Sequence, residues 1–138
     1  MEEKNELVLN DFNYEIETGR SKQQIFTSIK DQKTIFNLDN NCDNKLNDCK
    51  GEMIRVKDFL IKIIETPIDE ENVEYKKITI LIDDKGKSYV TASKMFANEL
   101  IRYIKMFGIN SVNEGLDIKI IERPVKNSSN KALGFELV

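Results

Sequence analysis

The side chains in this chain that could make or break bonds are few. The sequence contains no histidine, so general acid–base catalysis would depend on carboxylates, lysine, tyrosine or cysteine. A tight acidic pair, Asp83-Asp84, falls in a predicted hairpin turn, where aspartate is favoured for backbone reasons. No two glycines are close enough to form a phosphate-binding or dinucleotide-binding loop. We therefore predict that the protein is not an enzyme and that it has no cofactor.

The two cysteines, Cys42 and Cys49, lie in a segment rich in asparagine and aspartate. A structural zinc site needs four Cys or His ligands, which this chain does not supply. A cytosolic disulfide is not expected either. The segment partly matches a calcium loop, but its sixth position is Asn44 instead of glycine and its twelfth is Lys50 instead of glutamate. We predict two ordinary thiols and no metal.

The elements that must position any functional side chain are centred on residues 76–108. Alternating isoleucines predict a strand with one buried face, and the Asp-Asp-Lys-Gly turn after it predicts a hairpin with a return strand over 87–92. From Ser93, a predicted N-cap, apolar residues follow the period of a helix that ends at Gly108. The isoleucines of the buried face are Ile78, Ile80 and Ile82, and the helical stripe is Phe96, Leu100, Ile104 and Phe107.

A long strand precedes this centre and two shorter strands follow it. Over residues 52–65 the parity of the apolar positions changes at Lys57-Asp58, as a β-bulge in a bent strand would produce. An acidic loop over 66–74 leads to the central hairpin. The remaining predicted segments are a polar loop over 109–115 and strands over 116–121 and 132–138.

The N-terminal third has weaker patterns. Two short runs over 24–29 and 34–38, rich in Ile, Phe and Thr, predict a hairpin. The domain boundaries we expect are a polar arm over 1–20 and a single domain over 21–138, divided into a hairpin and loop over 21–50 and a core over 51–138.

The order of these elements predicts the fold class. Five strands with one helix between the third and the fourth is the order of an OB-fold, a small Greek-key barrel that binds oligonucleotides or oligosaccharides. The bent first strand fits such a barrel. We therefore expect a mainly β protein with one helix, an OB-fold-like five-stranded barrel preceded by the N-terminal hairpin. An α+β sheet with one packed helix has the same linear order and is the alternative.

Two stretches also resemble a known family. They are KLNDCKGEMIRVKDFLIKIIE over 45–65 and KITILIDDKGKSYVTASKMFANELIRYIKMFG over 77–108. Both are similar to small single-stranded-DNA-binding and replication proteins of phages and mobile elements of Gram-positive bacteria. The shared features are the Gly-Glu entry into the long strand, the LIDxxGKxY hairpin, the serine at the helix start and the Phe-Gly helix end. The resemblance covers roughly residues 45–138.

This resemblance implies non-catalytic binding of single-stranded DNA in replication of a phage or mobile element, with replication proteins as further partners. Such binding requires a basic groove and aromatic faces for base stacking. The aromatic candidates are Tyr75, Tyr89, Phe26 and Phe36. The lysine candidates are Lys57, Lys62, Lys77, Lys87, Lys126 and Lys131. Core packing of the phenylalanines, and a tyrosine at position 89 that caps the interior, are the structural alternatives.

Charge sets limits on the partners. The net charge of −3 speaks against a broadly basic surface that coats nucleic acid, although a local groove is compatible with it. The alternative function is a protein-interaction module, either an inhibitor or adaptor of a host or replication protein or an acidic DNA mimic. Self-association into a homo-oligomer fits both functions. The acidic N-terminus and the lack of a membrane-length apolar run predict a cytoplasmic protein without a membrane partner. The resemblance implies that this cytoplasm is that of a bacterial host cell.

Overall fold

The computed structural model describes residues 14–40, 42–126 and 130–138, in which the chain is mainly β, as predicted. The strands are β1 (Tyr14–Thr18), β2 (Ser21–Thr27), β3 (Asn44–Lys45), β4 (Met53–Pro67), β5 (Val73–Asp83), β6 (Ser88–Thr91), β7 (Leu116–Pro124) and β8 (Lys131–Leu137). The helices are α1 (Gln32–Asn40), α2 (Lys94–Phe107) and α3 (Asn110–Gly115), with a 3-10 turn at Leu46–Cys49. Within this part of the chain, no helix has the length and apolar character that a membrane crossing requires.

The strands form one sheet organised around β4. One edge of β4 pairs with β5, while the other edge is shared between β7, which pairs with residues 53–56, and β2, which pairs with residues 60–65. The register with β5 shifts between Val56 and Asp58, so the predicted bulge is confirmed. The side chain of Asn113 stabilises the bulge, because its Nδ2 donates to Lys57 O at 2.8 Å and to Asp58 Oδ1 at 2.7 Å. The bulge lets one strand serve two neighbours along a single edge.

The predicted closed barrel is not present among the described strands. There, β8 pairs with β7 alone, and the far edge of β6 is taken by β3 in parallel. The outer edge of β8 bonds instead to side chains of α2 and its cap. Glu99 Oε1 accepts the Phe135 N–H at 2.9 Å, and the Ser93 hydroxyl donates to Leu133 O at 2.8 Å. Helix side chains thus satisfy backbone groups that barrel closure would have paired with another strand.

A glycine in β8 makes this arrangement possible. A Cβ at Gly134 would lie 2.7 Å from Glu99 Oε1 and 3.0 Å from Arg123 Nε. These two side chains form an ion pair at 2.6 Å, and Arg123 Nη2 also donates to Phe135 O at 2.8 Å. The pair therefore contacts both the N–H and the C=O of one edge residue, as a neighbouring strand would.

Helix α2 packs on the face of the sheet that we call the inner face, over the main hydrophobic cluster. Ser93 caps it as predicted, since its hydroxyl accepts the Phe96 N–H at 3.1 Å, and Gly108 ends it with a φ of 90°. Phe107, predicted on the buried stripe, is 54% exposed. The last turn of α2 therefore extends past the apolar surface of the sheet.

Helix α1 packs on the opposite face, which we call the outer face, and corrects the predicted N-terminal hairpin. Residues 34–38, predicted as a strand, are helical. Asp31 starts the helix, because its carboxylate accepts the hydroxyl of Thr34 at 2.6 Å and its N–H at 3.3 Å. Ile35 packs into a second cluster with Leu60 and Ile80. The actual N-terminal hairpin joins β1 to β2 through a turn at residues 19–20, so its first strand lies inside the stretch expected to be an arm. Residues 1–13 of that stretch lie outside the described residues.

Because α2 and α1 cover opposite faces of the sheet, the prediction that β5 has only one buried face is wrong. Leu81, whose side chain alternates with the isoleucines of the face predicted to be buried, is itself fully buried under α2, while Ile80 is buried under α1. The polar loop predicted over 109–115 contains α3, which forms because Val112 packs into the main cluster. The strands predicted after it, β7 and β8, are confirmed.

Candidate nucleic-acid interface

Strands β1, β2, β4 and β5 lie side by side in a four-stranded part of the sheet that ends at the β4–β5 turn. We call this part the ribbon, and it comprises residues 14–18, 21–25, 62–67 and 73–78. Residues paired directly across antiparallel strands point to the same face, so the register assigns each side chain to a face. One row on the outer face is Tyr14, Ile25, Lys62 and Ile78. The next row is Ile16, Gln23, Ile64 and Lys76.

The charges in these two outer rows are both positive. Lys62 is half-buried between Ile25 and Ile78, and Lys76 is exposed beside the half-buried Ile64. Neither row contains a carboxylate, and Glu74 follows only in the row beyond. These two rows therefore place a pair of lysines on an apolar surface, where positive charge favours a bound phosphate.

Helix α1 adds an aromatic ring to the same side of the molecule. Ile35 and Leu38 hold α1 against the outer face, and the intervening Phe36 is 69% exposed. Lys33, one turn earlier, is also exposed. Tyr14 packs, half-buried, against the edge of the same cluster. The outer face thus combines lysines with aromatic side chains from β1 and α1.

The inner face of the ribbon has a different character. Its two rows are Glu15, Gln24, Ile63 and Lys77, then Glu17, Lys22, Glu65 and Tyr75. Three carboxylates here face two lysines, and Lys77 Nζ donates to Asn98 Oδ1 of α2 at 2.7 Å. Tyr75 is 50% exposed, but it stands directly opposite Glu65. A phosphate beside Tyr75 would meet that carboxylate.

Two of the predicted aromatic residues lie in the interior. Phe26 is 7% exposed and its ring centroid lies 5.3 Å from that of Phe59 in the main cluster. Tyr89 is half-buried against the same cluster, and its hydroxyl donates to Asp83 Oδ2 at 2.8 Å. These positions match the structural alternatives considered for both rings.

The Tyr89–Asp83 contact perturbs both groups. Burial raises the pKa of Tyr89, and the Asp83 carboxylate raises it further, from 10.0 to about 12. Burial acts to raise the pKa of Asp83 as well, but hydrogen bonds from Lys87 N–H, the Tyr89 hydroxyl and Lys85 N–H outweigh it and hold that pKa below 3.8. The pair is therefore a neutral phenol bonded to a carboxylate at neutral pH, which fixes the β5–β6 turn.

The remaining predicted lysines are spread over the surface. Lys57 lies at the bulge, with its Nζ 3.4 Å from Asn113 O. Lys87 borders an open pocket of about 480 Å³ that is also lined by the carboxylates of Asp43, Asp48 and Glu52. Lys126 and Lys131 flank the turn between β7 and β8. Of the predicted residues, the structure brings Lys62 and Phe36 to one side of the sheet and leaves the others elsewhere.

Sequence reasoning missed Lys76, Tyr14 and Lys33. Lys76 has the parity of Ile78 and Ile80, and this was a usable indication that it continues their face of the strand. Tyr14 lay in the stretch predicted as an arm, and Lys33 in a predicted turn. Their positions depend on β1 and α1, which local patterns did not predict.

The comparisons with known proteins point to nucleic acid. The family model described as "Phage Single-stranded DNA-binding protein", of the phi29 type, matches residues 17–137. This match covers every described strand except the start of β1. The search of curated proteins and the search of solved structures each gave no significant match.

Proposed function

Because the chain belongs to the family of phage single-stranded DNA-binding proteins, we propose that it binds single-stranded DNA through the outer face of the ribbon. The family match is the observation that supports the function, single-stranded DNA binding in phage DNA replication. The charge pattern of the ribbon supports the choice of face. The residues we assign to the binding surface are Lys62, Lys76, Tyr14, Phe36 and Lys33.

Electrostatics favours the outer face over the inner one. A single strand brings one negative charge per nucleotide, and neutralisation by lysine releases condensed counterions. On the inner face the sugar-phosphate backbone of the DNA would pass Glu15, Glu17 and Glu65. The charged residues of the two outer rows are Lys62 and Lys76. The inner face remains the second candidate, because Tyr75 and Lys77 lie there two residues apart.

Aromatic and apolar contacts would supply the rest of the binding energy. Stacking of one base on an aromatic ring contributes about 1–3 kcal/mol and tolerates any base. Phe36 is the most exposed ring on this side, and the isoleucines beside the lysines offer apolar contact to sugars and base edges. Binding of this kind has little sequence preference, as a protein that covers replicating DNA requires.

The order of elements supports the same face. From β4 to β8 the strands and α2 follow the order expected of an OB-fold, with α3 added after α2 and without closure of the described strands. In an OB-fold the face of strands 2 and 3 binds oligonucleotides. Here β5 occupies the second place. Helix α1 covers Ile80 on that strand, and no described helix covers its continuation past Ile78 and Lys76, so we place the DNA strand there. We place this activity in the cytoplasm of the bacterial host, with replication proteins as further partners.

A fluorescence-anisotropy titration with labelled oligo-dT and with duplex of equal length, at several salt concentrations, tests the proposal. We expect preference for oligo-dT and an affinity that falls as salt rises. The Lys62→Ala/Lys76→Ala variant should reduce the slope of log K against log salt by about 1.4, since each single-strand phosphate contact contributes about 0.7.

The matched control is Lys22→Ala/Lys77→Ala, which removes the same charge from the inner face of the same ribbon. This control should leave the slope nearly unchanged. A larger loss in the control would move the site to the inner face, beside Tyr75. Absence of oligo-dT binding by the natural protein at low salt would refute the function.

A further inference from the structure

The β4–β5 turn forms an acidic, apolar tip at the end of the ribbon. Residues 68–75 carry four carboxylates and no lysine or arginine. Three apolar or aromatic side chains are exposed among them, Ile68 at 62%, Val73 at 40% and Tyr75 at 50%. The turn has a defined shape, because Asp69 Oδ1 accepts the N–H groups of Glu71 and Asn72, both at 2.9 Å.

The C-terminal end of α2 has the complementary character. Met106 is 70% exposed and Phe107 54% exposed. The Phe107 ring packs against that of Tyr103, with centroids 4.7 Å apart. Over residues 100–108 the charged side chains are Arg102 and Lys105, with no carboxylate. An exposed phenylalanine and an exposed methionine beside two cations form a surface suited to an acidic, apolar partner.

The two patches lie far apart along the long strand β4. Helix α2 passes the ribbon at Asn98, which contacts Lys77, and ends where α3 contacts the bulge of β4 through Asn113. The tip begins at Pro67, nine residues along β4 from Asp58, which corresponds to about 30 Å of strand. A contact that joins two different patches is head to tail, and it builds an open line of copies when the rotation between neighbours does not close a ring.

We propose that the tip of one copy docks on the α2 end of the next, so that copies assemble head to tail along a DNA strand. Charge complementarity selects a second copy as the occupant, since the tip carries four negative charges and the helix end two positive ones. The apolar side chains of each patch would be buried in the contact. The assembly along DNA rests on the proposed function, whereas the contact itself is a property of the protein alone.

The test compares a short oligo-dT that holds one copy with a long oligo-dT that holds several. The natural protein should bind the long strand more steeply, and about tenfold more tightly per copy, than the short one, which corresponds to about 1.4 kcal/mol of contact energy. The tip variant Glu70→Lys/Glu71→Lys/Glu74→Lys, whose tip carries a net charge of +2, should lose this advantage and keep its affinity for the short strand. A combined variant that also carries Arg102→Glu/Lys105→Glu should regain it.

A second measurement needs no DNA. In sedimentation velocity at high protein concentration, the tip variant and the Arg102→Glu/Lys105→Glu variant should each remain monomeric, because their two patches then carry charges of the same sign. Mixed together, they should associate. Circular dichroism of each variant verifies the fold.

Failure of the proposed function and failure of the head-to-tail contact give different results in these experiments. If the natural protein fails to bind the short oligo-dT, the proposed function fails, and the mixing experiment still decides the contact. The head-to-tail contact is overturned if the tip variant keeps the long-strand advantage, or if the folded reversed variants do not associate when mixed.

Discussion

The two faces of the ribbon are formed by the same four strands but differ in charge and in apolar content. The outer rows place Lys62 and Lys76 among isoleucines, while the inner rows alternate carboxylates with lysines. Lys76 and Lys77 are neighbours in the chain yet lie on opposite faces, and the second is bonded to Asn98 of α2. A lysine's contribution to a binding surface thus depends on its parity in the strand, and clustering along the sequence is a poor guide.

The largest expected effect is a loss of stability, and it should differ between the two hydrophobic clusters that lie behind these faces. Phe59→Ala, in the fully buried inner cluster, should lower the free energy of unfolding by about 3–5 kcal/mol. Ile35→Ala should cost about 2–3 kcal/mol and release mainly α1, because Ile35 holds that helix to the sheet. Urea unfolding with hydrogen exchange measures both. Equal loss of amide protection in α2 and α1 of the Ile35 variant would contradict the division.

The next effect concerns stacking on the two faces. Phe36→Ala should weaken oligo-dT binding by about 1–3 kcal/mol and barely alter stability, since its ring is largely exposed. Tyr75→Ala on the inner face is the matched control and should change affinity for a short oligo-dT far less. Anisotropy titration at fixed salt measures both. If the Tyr75 variant loses more affinity, the inner face is the binding surface.

A smaller effect tests whether Tyr89 belongs to the architecture of the inner face. Tyr89→Phe should lower the free energy of unfolding by about 1 kcal/mol, because Asp83 loses one donor, and should leave DNA binding unchanged. The raised pKa of Tyr89 gives a contribution that is complete below pH 10.0 and is lost as pH rises toward about 12. The variant should therefore show a flatter alkaline stability curve. Weaker oligo-dT binding by the folded variant would return Tyr89 to the interface.

The same contact gives an acid-side expectation with the opposite sign. The pKa of Asp83 is lowered in the folded protein, so its contribution is complete above about pH 4 and is lost as pH falls through the lowered value. Asp83→Asn should reduce this part of the acid sensitivity. Chemical denaturation between pH 6 and pH 3, compared with the natural protein, checks it, and parallel curves would contradict the assignment.

The smallest effect refines the edge of the outer surface. Lys33→Gln should reduce the salt slope of oligo-dT binding by no more than about 0.7, the contribution of one phosphate contact. Lys94→Gln, an exposed lysine at the start of α2, is the control and should leave the slope unaltered. A larger change in the control would extend the interface toward α2.

Elements with complete local patterns were predictable from the sequence. The bulge in β4 follows from a parity change, the β5–β6 hairpin from turn residues, and α2 from its serine cap and apolar stripe. Helix α1 was not predictable in this way, because residues 34–38 alternate like a strand while Ile35 and Leu38 also have helical spacing. The apolar outer side of β4 and β5, which needs cover, decides in favour of the helix.

The candidate site was predictable only in part for the same reason. Lys62 and Phe36 could be proposed from residue type, but their shared side depends on the packing of α1 against the sheet. Phe26 and Tyr89 looked equally suitable until the register placed them against the main cluster. Exposure of an aromatic ring is a property of its neighbours in space, which strand alternation alone does not identify.

The ion pair over Gly134 has a consequence for how this protein tolerates crowding. A bare strand edge can recruit the edge of another molecule and begin an intermolecular β-aggregate. At Phe135 both hydrogen-bonding groups of that edge are already bonded to Glu99 and Arg123. A side chain at position 134 would displace those partners and reopen the edge, so this glycine protects the protein from edge-to-edge aggregation at high concentration.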